Sequence, residues 1–310
     1  MHFKSTEYLT VSPVPFPGIA QLKIDYTLVP RSKTEVSESG LFESSEGDIN
    51  VRASFLVMVL FSISPVFGQQ PKEFTNSIGM KLVLIPAGTF TMGSSKEERG
   101  RHSAETQHEV TVSTPFYLGK YEVTQNEYEK LMGNNPSSIK GPTSPVETLR
   151  WKDAVSFCEK LSELPEEKAA GREYRLPTEA EWEFSCRGGS ETAYGFADSS
   201  ELLHEHAWFA ENAQNKHHPV GEKKPNRWGL HDMHGNVWEW CKDWYGDYPS
   251  GALTDPQGPS QGSERVIRGG SWPGAAETHF RSAYRANYVP TDRSVVLGFR
   301  VALNASNLKP

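Results

Sequence analysis

From Phe74 onward the chain carries a series of periodic apolar segments. KLVLIPAGTFTMGS at 81–94 has two apolar runs around Pro86-Ala87-Gly88, which predicts two short strands joined by a turn. HEVTVSTPFYLGKYEV at 108–123 alternates Val110 and Val112, then Phe116 and Leu118, and predicts half-buried strands. Thr124-Gln-Asn-Glu127 is a capping box, opening a helix with Tyr128, Leu131 and Met132 on one face and Gly133 at its end. From Trp151, the residues Ala154, Val155, Cys158 and Leu161 recur at helical spacing and place Cys158 on a buried face. Thr178-Glu-Ala-Glu181 is a second capping box, and its helix stops at Arg187-Gly188-Gly189. Regular periodicity then fades for about a hundred residues rich in turns and aromatics, until SVVLGFRVAL at 294–303 predicts a terminal strand. These elements predict one α+β domain over 74–303, followed by a tail at 304–310.

Composition sharpens this picture. All eight tryptophans lie between Trp151 and Trp272, alongside 26 glycines and 21 prolines in the chain, so the fold should be loop-rich and pinned by large buried rings. A net charge of −7 argues against nucleic acid as a partner. Cys158, Cys186 and Cys241 are three, so at least one has no intramolecular partner, and no C-x-x-C exists to form a zinc ribbon or thioredoxin motif.

The front of the chain reads differently. Residues 1–50 show no sustained period, and we expect them to be disordered or a mis-assigned start. Residues 51–68 have the parts of a secretory signal peptide: Arg52, an apolar stretch from Ala53 to Ile63, Pro65, and Val66-Phe67-Gly68 as a cleavage site. Export to a periplasmic, extracellular or secretory space follows, with no stable membrane span after cleavage.

Candidate chemistry centres on RGGSWPGAAETHFRS at 268–282, where Gly269-Gly270 permits close backbone approach and Ser271 could face a pocket. Ser271 lies outside any G-x-S-x-G, so a nucleophile elbow is not indicated. His231 and His234 read as loop histidines, and the adjacent His217 and His218 must point apart. Arg281 and Arg285 suit either an anion or buried acidic partners.

In order, IPAGTFTMGS, YEVTQNEY, RLPTEAEWEFSCRGG, NRWGLHDMHGNVWEWCKDWY, RVIRGGSW and LGFRVA resemble the formylglycine-generating enzyme, or sulfatase-modifying factor, family. The resemblance covers nearly all of 74–303 and implies an α+β variant of the C-type-lectin-like fold with little regular secondary structure. Active family members oxidise a sulfatase cysteine within C-x-P-x-R to formylglycine, using oxygen and a copper ion held by two enzyme cysteines. Those cysteines follow the pattern GGS-aromatic-x-C-x4-C, which places them here at Gly274 and His279. Glycine offers no ligand, and one imidazole is a poor substitute for a dithiolate, so copper chemistry is not expected. Ser271 and Trp272 would remain as pocket residues.

The resemblance also implies that Cys158 and Cys186 stand where some members have disulfides. Their partners would fall near Ala283 or Tyr284 and at Val301, so both thiols should stay reduced. It further implies a calcium site from the side chains of Asp232 and Glu239 and the backbone carbonyls of Gly235 and Val237. The alternative is a tight turn capped by Asp232, with Glu239 in an ion pair. A second calcium site near Ala207–Asn212 is too poorly matched to assign. The resulting expectation is an exported, non-catalytic relative binding a protein, peptide or glycan, a sulfatase being one candidate. The alternatives are a formylglycine-generating oxidase with altered metal chemistry and an iron-dependent oxygenase.

Overall fold

The computed structural model describes residues 72–275 and 277–305. The expected signal peptide and the segment before it lie outside the described residues. Among those described, no helix is long and apolar enough to cross a membrane.

Strands β1 (Glu73–Thr75), β2 (Lys81–Ile85), β3 (Gly88–Met92), β4 (His108–Val112) and β5 (Phe116–Gly119) come first. Helices α1 (Gln125–Met132), α2 (Trp151–Ser162) and α3 (Pro165–Ala169) follow, then β6 (Tyr174–Arg175), α4 (Glu179–Arg187) and α5 (Leu203–His206). The chain ends in β7 (Trp238–Trp244), β8 (Leu253–Thr254), β9 (Arg265–Arg268), β10 (Arg285–Tyr288), β11 (Leu297–Gly298) and β12 (Ala302–Asn304). They form three sheets, ordered β1-β2-β5-β12-β6, β10-β9-β7-β11 and β3-β4-β8. The architecture is α+β.

Both capping boxes form as their sequences dictate. Thr124 and Thr178 accept the backbone N–H of Glu127 and Glu181, whose carboxylates reach back to the cap N–H, and Gly133 and Gly188 end the helices in the left-handed region. The buried face of α2 carries Ala154, Phe157, Cys158 and Leu161. Its ring Phe157 stacks on Tyr128 of α1 and meets Phe299 edge-on. Truncating a ring buried this completely costs ~3–5 kcal/mol.

Three expectations need correction. Strand β5 is buried on both faces, Tyr117 as fully as Phe116 and Leu118, because β2 and β12 flank it and a core cluster lies on each side. The stretch after Gly189 is not merely irregular: WEWCKDW is the seven-residue strand β7, central in the second sheet. It lacks clean alternation because Trp240 and Cys241, consecutive residues, are both fully buried, one in each main cluster. The terminal segment is two strands instead of one. β11 runs parallel to β7, and β12 pairs antiparallel with β5 and β6. Phe299, Arg300 and Val301 therefore bridge two sheets, which places Arg300 fully buried between them.

Candidate functional site

The segment 268–282 leaves β9 through Gly269 and Gly270, at φ of 101° and 80°. These are left-handed conformations that a side chain would strain. The ring of Phe280 explains the next small residue. A Cβ on Gly270 would stand 2.5 Å from Phe280 Cδ1, and one on Gly274 would stand 2.8 Å from Phe280 Cζ. Gly274 is further tied by its N–H, which donates to Ser271 O at 2.8 Å, and by its carbonyl, which accepts from Ala210 N–H at 3.0 Å.

Ser271 is buried, whereas Trp272 is half-buried and its Nε1–H donates to Val295 O at 3.4 Å. His279 closes a short 3-10 turn and stands half-buried, with its ring 4.8 Å from that of Tyr284. Burial and then the neighbouring Arg281 charge lower its pKa, so the imidazole is neutral near pH 7. Tyr284 in turn faces Trp238 with centroids 6.0 Å apart.

A cleft of about 920 Å³ lies beside this segment. Glu277, Thr278 and Arg281 line it together with Phe184, Tyr194 and Glu98. The sequence pointed to Ser271 and Trp272 as pocket residues, but neither they nor His279 line this cleft. The 3-10 turn directs Glu277 and Thr278 into it, and His279 faces Tyr284 instead.

The arginines expected to meet either an anion or buried acids meet acids. Arg281 donates to Glu98 and to both oxygens of Glu105, and Arg285 holds Glu179 with paired bonds of 2.8 and 2.7 Å. Such bidentate pairs fix geometry, and these tie segment 268–285 to α4 and to the 98–105 loop.

The loop from Asp232 to Glu239 contains left-handed residues at Asp232 (φ 59°) and Asn236 (φ 66°). Asp232 Oδ2 accepts from Gly221 N–H at 2.7 Å, while Oδ1 is buried with no hydrogen-bond partner. Glu239 accepts from Trp182 Nε1–H at 2.7 Å and from Arg300 Nε–H at 2.6 Å, with a second bond from Arg300 Nη2. Its ion pair is the alternative the sequence left open. Gly235 lies where a Cβ would come within 2.6 Å of Trp208 O.

Sequence reasoning missed Glu122 and Arg300. Glu122 is fully buried, and its carboxylate accepts from Asn236 Nδ2–H at 2.7 Å and Val237 N–H at 3.1 Å, so it organises the loop. Both residues sit in quoted segments, YEVT and LGFR, where strand patterning alone was read. Burial, then the charges of Asp232 and Glu239, push Glu122 well up, and burial pushes Asp232 up to about 6.

The orphaned Asp232 oxygen is an acceptor suited to a hard cation, whereas Glu122 and Glu239 are held by the hydrogen bonds above. Among the described residues no three His, Cys, Asp or Glu side chains converge as a metal site. A cation would therefore rest on Asp232, a share of Glu239, and backbone carbonyls.

His234 lies in a loop as read, but fully packed, with Nδ1 2.7 Å from Phe280 O and Nε2 accepting from Gly195 N–H at 3.2 Å. Burial lowers its pKa to about 4. The His231 ring lies tilted against that of Tyr121, and its Nδ1 is 2.8 Å from Lys223 O. His217 is buried with neither nitrogen hydrogen-bonded, 3.6 Å from Glu147, whereas His218 stacks on Trp208 at 3.7 Å.

All three cysteines are free and buried. Burial pushes Cys186 up to about 12 and raises Cys158 and Cys241, which removes thiolate reactivity. Cys186 Sγ faces Ser282 Oγ at 3.7 Å, one residue before the expected Ala283 or Tyr284. Cys158 shares its core cluster with Val301.

Residues 67–305 match the family described as the sulfatase-modifying factor enzyme 1-like domain. The chain belongs to this family. It is 30% identical to the chaperone protein LppX of Paenibacillus barcinonensis, over 69% of this chain and 87% of that protein. It is also 30% identical to the formylglycine-generating enzyme of Mus musculus, over 72% of this chain and 74% of that enzyme. The solved structure of PvdO from Pseudomonas aeruginosa superposes with a TM-score of 0.68 at 31% identity, covering 76% of this chain and 99% of that one.

Proposed function

We propose that this protein is an exported binding member of the sulfatase-modifying factor family that has lost the copper chemistry. The observation that carries this reading is the packing of Gly274. The position expected to hold a copper thiolate has no side chain, and even a Cβ would collide with the fully buried Phe280. His279 supplies a single neutral imidazole, which does not replace a pair of soft thiolates.

The cleft beside segment 268–282 is the binding region in this reading. At about 920 Å³ it is at the large end of ligand sites, and it suits a peptide or glycan segment of a partner. That one relative is named a chaperone protein supports a protein partner, a sulfatase being one candidate. Calcium, held by Asp232, Glu239 and the carbonyls of Gly235 and Val237, would brace the 232–239 loop without reacting.

The test is incubation with a C-x-P-x-R peptide, with and without copper, following the peptide mass. The reading expects the cysteine to remain intact in both. Conversion that requires copper would refute it, and conversion that survives copper removal would establish an oxidase with altered metal chemistry.

A further inference from the structure

Several buried carboxylates in this fold are matched by guanidinium groups. Glu183 pairs with Arg187 and Arg268, Glu179 with Arg285, Glu105 with Arg281, and Glu239 with Arg300. Asp243, like Glu122 and Asp232, has no guanidinium bonded to it among the described residues. It is 4% exposed. Its Oδ2 accepts the Glu179 N–H at the first turn of α4, 2.9 Å away. Its Oδ1 takes no hydrogen bond among the described residues, and the residue borders a pocket of about 280 Å³. A buried carboxylate without a cation is costly and marks a candidate site.

The pocket is built from α4, β7 and the 246–259 segment, with apolar walls from Met92, Ala180, Leu253, Pro256 and Pro259. Gly258, at φ 68°, lets that segment close on the carboxyl, since a Cβ there would stand 2.9 Å from Asp243 Cβ. The donors nearby are already used. Arg285 spends its N–H groups on Glu179, Gly246 O and Ala104 O, and the Tyr248 hydroxyl donates to Glu179 Oε1 at 3.0 Å. His108 has Nδ1 2.9 Å from Thr106 O, so this N–H is used as well. The pocket thus presents an acceptor, Asp243 Oδ1, that lacks a donor.

We propose that this pocket binds a primary ammonium group carried on a small apolar body, with Asp243 Oδ1 as its anionic partner. An ammonium supplies three N–H donors and one positive charge, which are the two things the site lacks. The charged groups acting on Asp243 are Glu179 and Glu181 of α4, Lys242 of its own strand and Arg265 of β9. Lys242 Nζ is held by Gln257 Oε1 at 2.8 Å. Burial, then Glu179, push Asp243 up to about 7, so the free carboxyl is only partly ionised near neutral pH. A bound ammonium would stabilise the ionised form, and binding should release a proton. The pocket shares no residue with the larger cleft, so its test is independent of the reading above.

The experiment is calorimetric titration of the full chain with benzylamine, and with benzyl alcohol as the neutral isostere, at pH 5.5 and pH 8. Benzylamine should bind saturably and roughly tenfold or more tighter at pH 8, as Asp243 ionises. Asp243→Asn keeps an oxygen for the Glu179 N–H and should abolish the preference for the amine. Leu253→Trp fills the pocket, leaves Asp243 in place, and should abolish binding altogether. A blocked lysine tripeptide titrated in parallel separates the two sources of an ammonium: tighter binding than benzylamine assigns a protein side chain, weaker binding a free amine. The proposal is overturned if benzyl alcohol binds as well as the amine. It is equally overturned if both variants bind benzylamine unchanged, or if the wild type shows no saturable binding up to concentrations on the order of 10 mM.

Discussion

Gly274 and Phe280 are packed so closely that a Cβ on the glycine would lie 2.8 Å from Phe280 Cζ. This contact links the sequence change at the expected copper site to the core beneath it, because Phe280 belongs to the cluster with Tyr194, Leu203 and Phe209. The substitution and the packing thus support each other.

Gly274→Ala should therefore destabilise the protein. Overpacking costs ~1–3 kcal/mol, which exceeds the gain of ~0.4–1 kcal/mol from a less flexible unfolded chain. Phe280→Leu in the same chain should relieve part of that loss. Urea unfolding of both single variants and the double variant measures the coupling, and simple additivity would show that the two residues do not compete for space.

Glu239 and Arg300 should behave as a buried unit. Glu239→Gln leaves a fully buried guanidinium without its charge partner and should cost ~3–5 kcal/mol. Replacing both by apolar residues should cost less than the single change. Chemical denaturation of the three variants decides this, and a mild Glu239→Gln would mean that the Gly119 and His231 carbonyls suffice for the arginine.

Much of the fold was legible because its signals are local. The Thr124 and Thr178 capping boxes are spelled within four residues, and α2 shows its buried face in one stretch. The second sheet was not legible, since β7 is buried on both faces and loses the alternation that marks a strand. The site was half legible. Gly274 and His279 were found by position, but the 3-10 turn that directs His279 away from the cleft has no sequence mark. Glu122 reaches Asn236 across 114 residues, and Glu239 meets Arg300 across 61, so only the folded chain shows that these residues work together.

The pH dependence of stability should carry two contributions of opposite sign that overlap between pH 4 and 6.5. His234 has a pKa of about 4 against an ordinary 6.5, so the unfolded chain takes up its proton first and stability is lost as pH falls from 6.5 towards 4. Asp243 is raised from 3.8 to about 7, so the folded chain holds the extra proton and stability is lost as pH rises between those values. Thermal unfolding from pH 4 to pH 8 should show His234→Gln exposing the decline due to Asp243, and Asp243→Asn exposing the rise due to His234. Parallel curves for wild type and variants would contradict both assignments.

Calcium should raise the melting temperature, and a chelator should reverse the rise. At a hundredfold excess over Kd, binding to the native state adds about 2.7 kcal/mol. Asp232→Ala removes the orphaned oxygen and should abolish the shift. A shift that persists in this variant would place the cation elsewhere.

The central claim, a family member without copper chemistry, is tested most directly by elemental analysis of the purified mature protein after exposure to Cu(I) and removal of free metal. The account predicts no stoichiometric copper, with calcium as the retained ion. One tightly held copper per chain would contradict it.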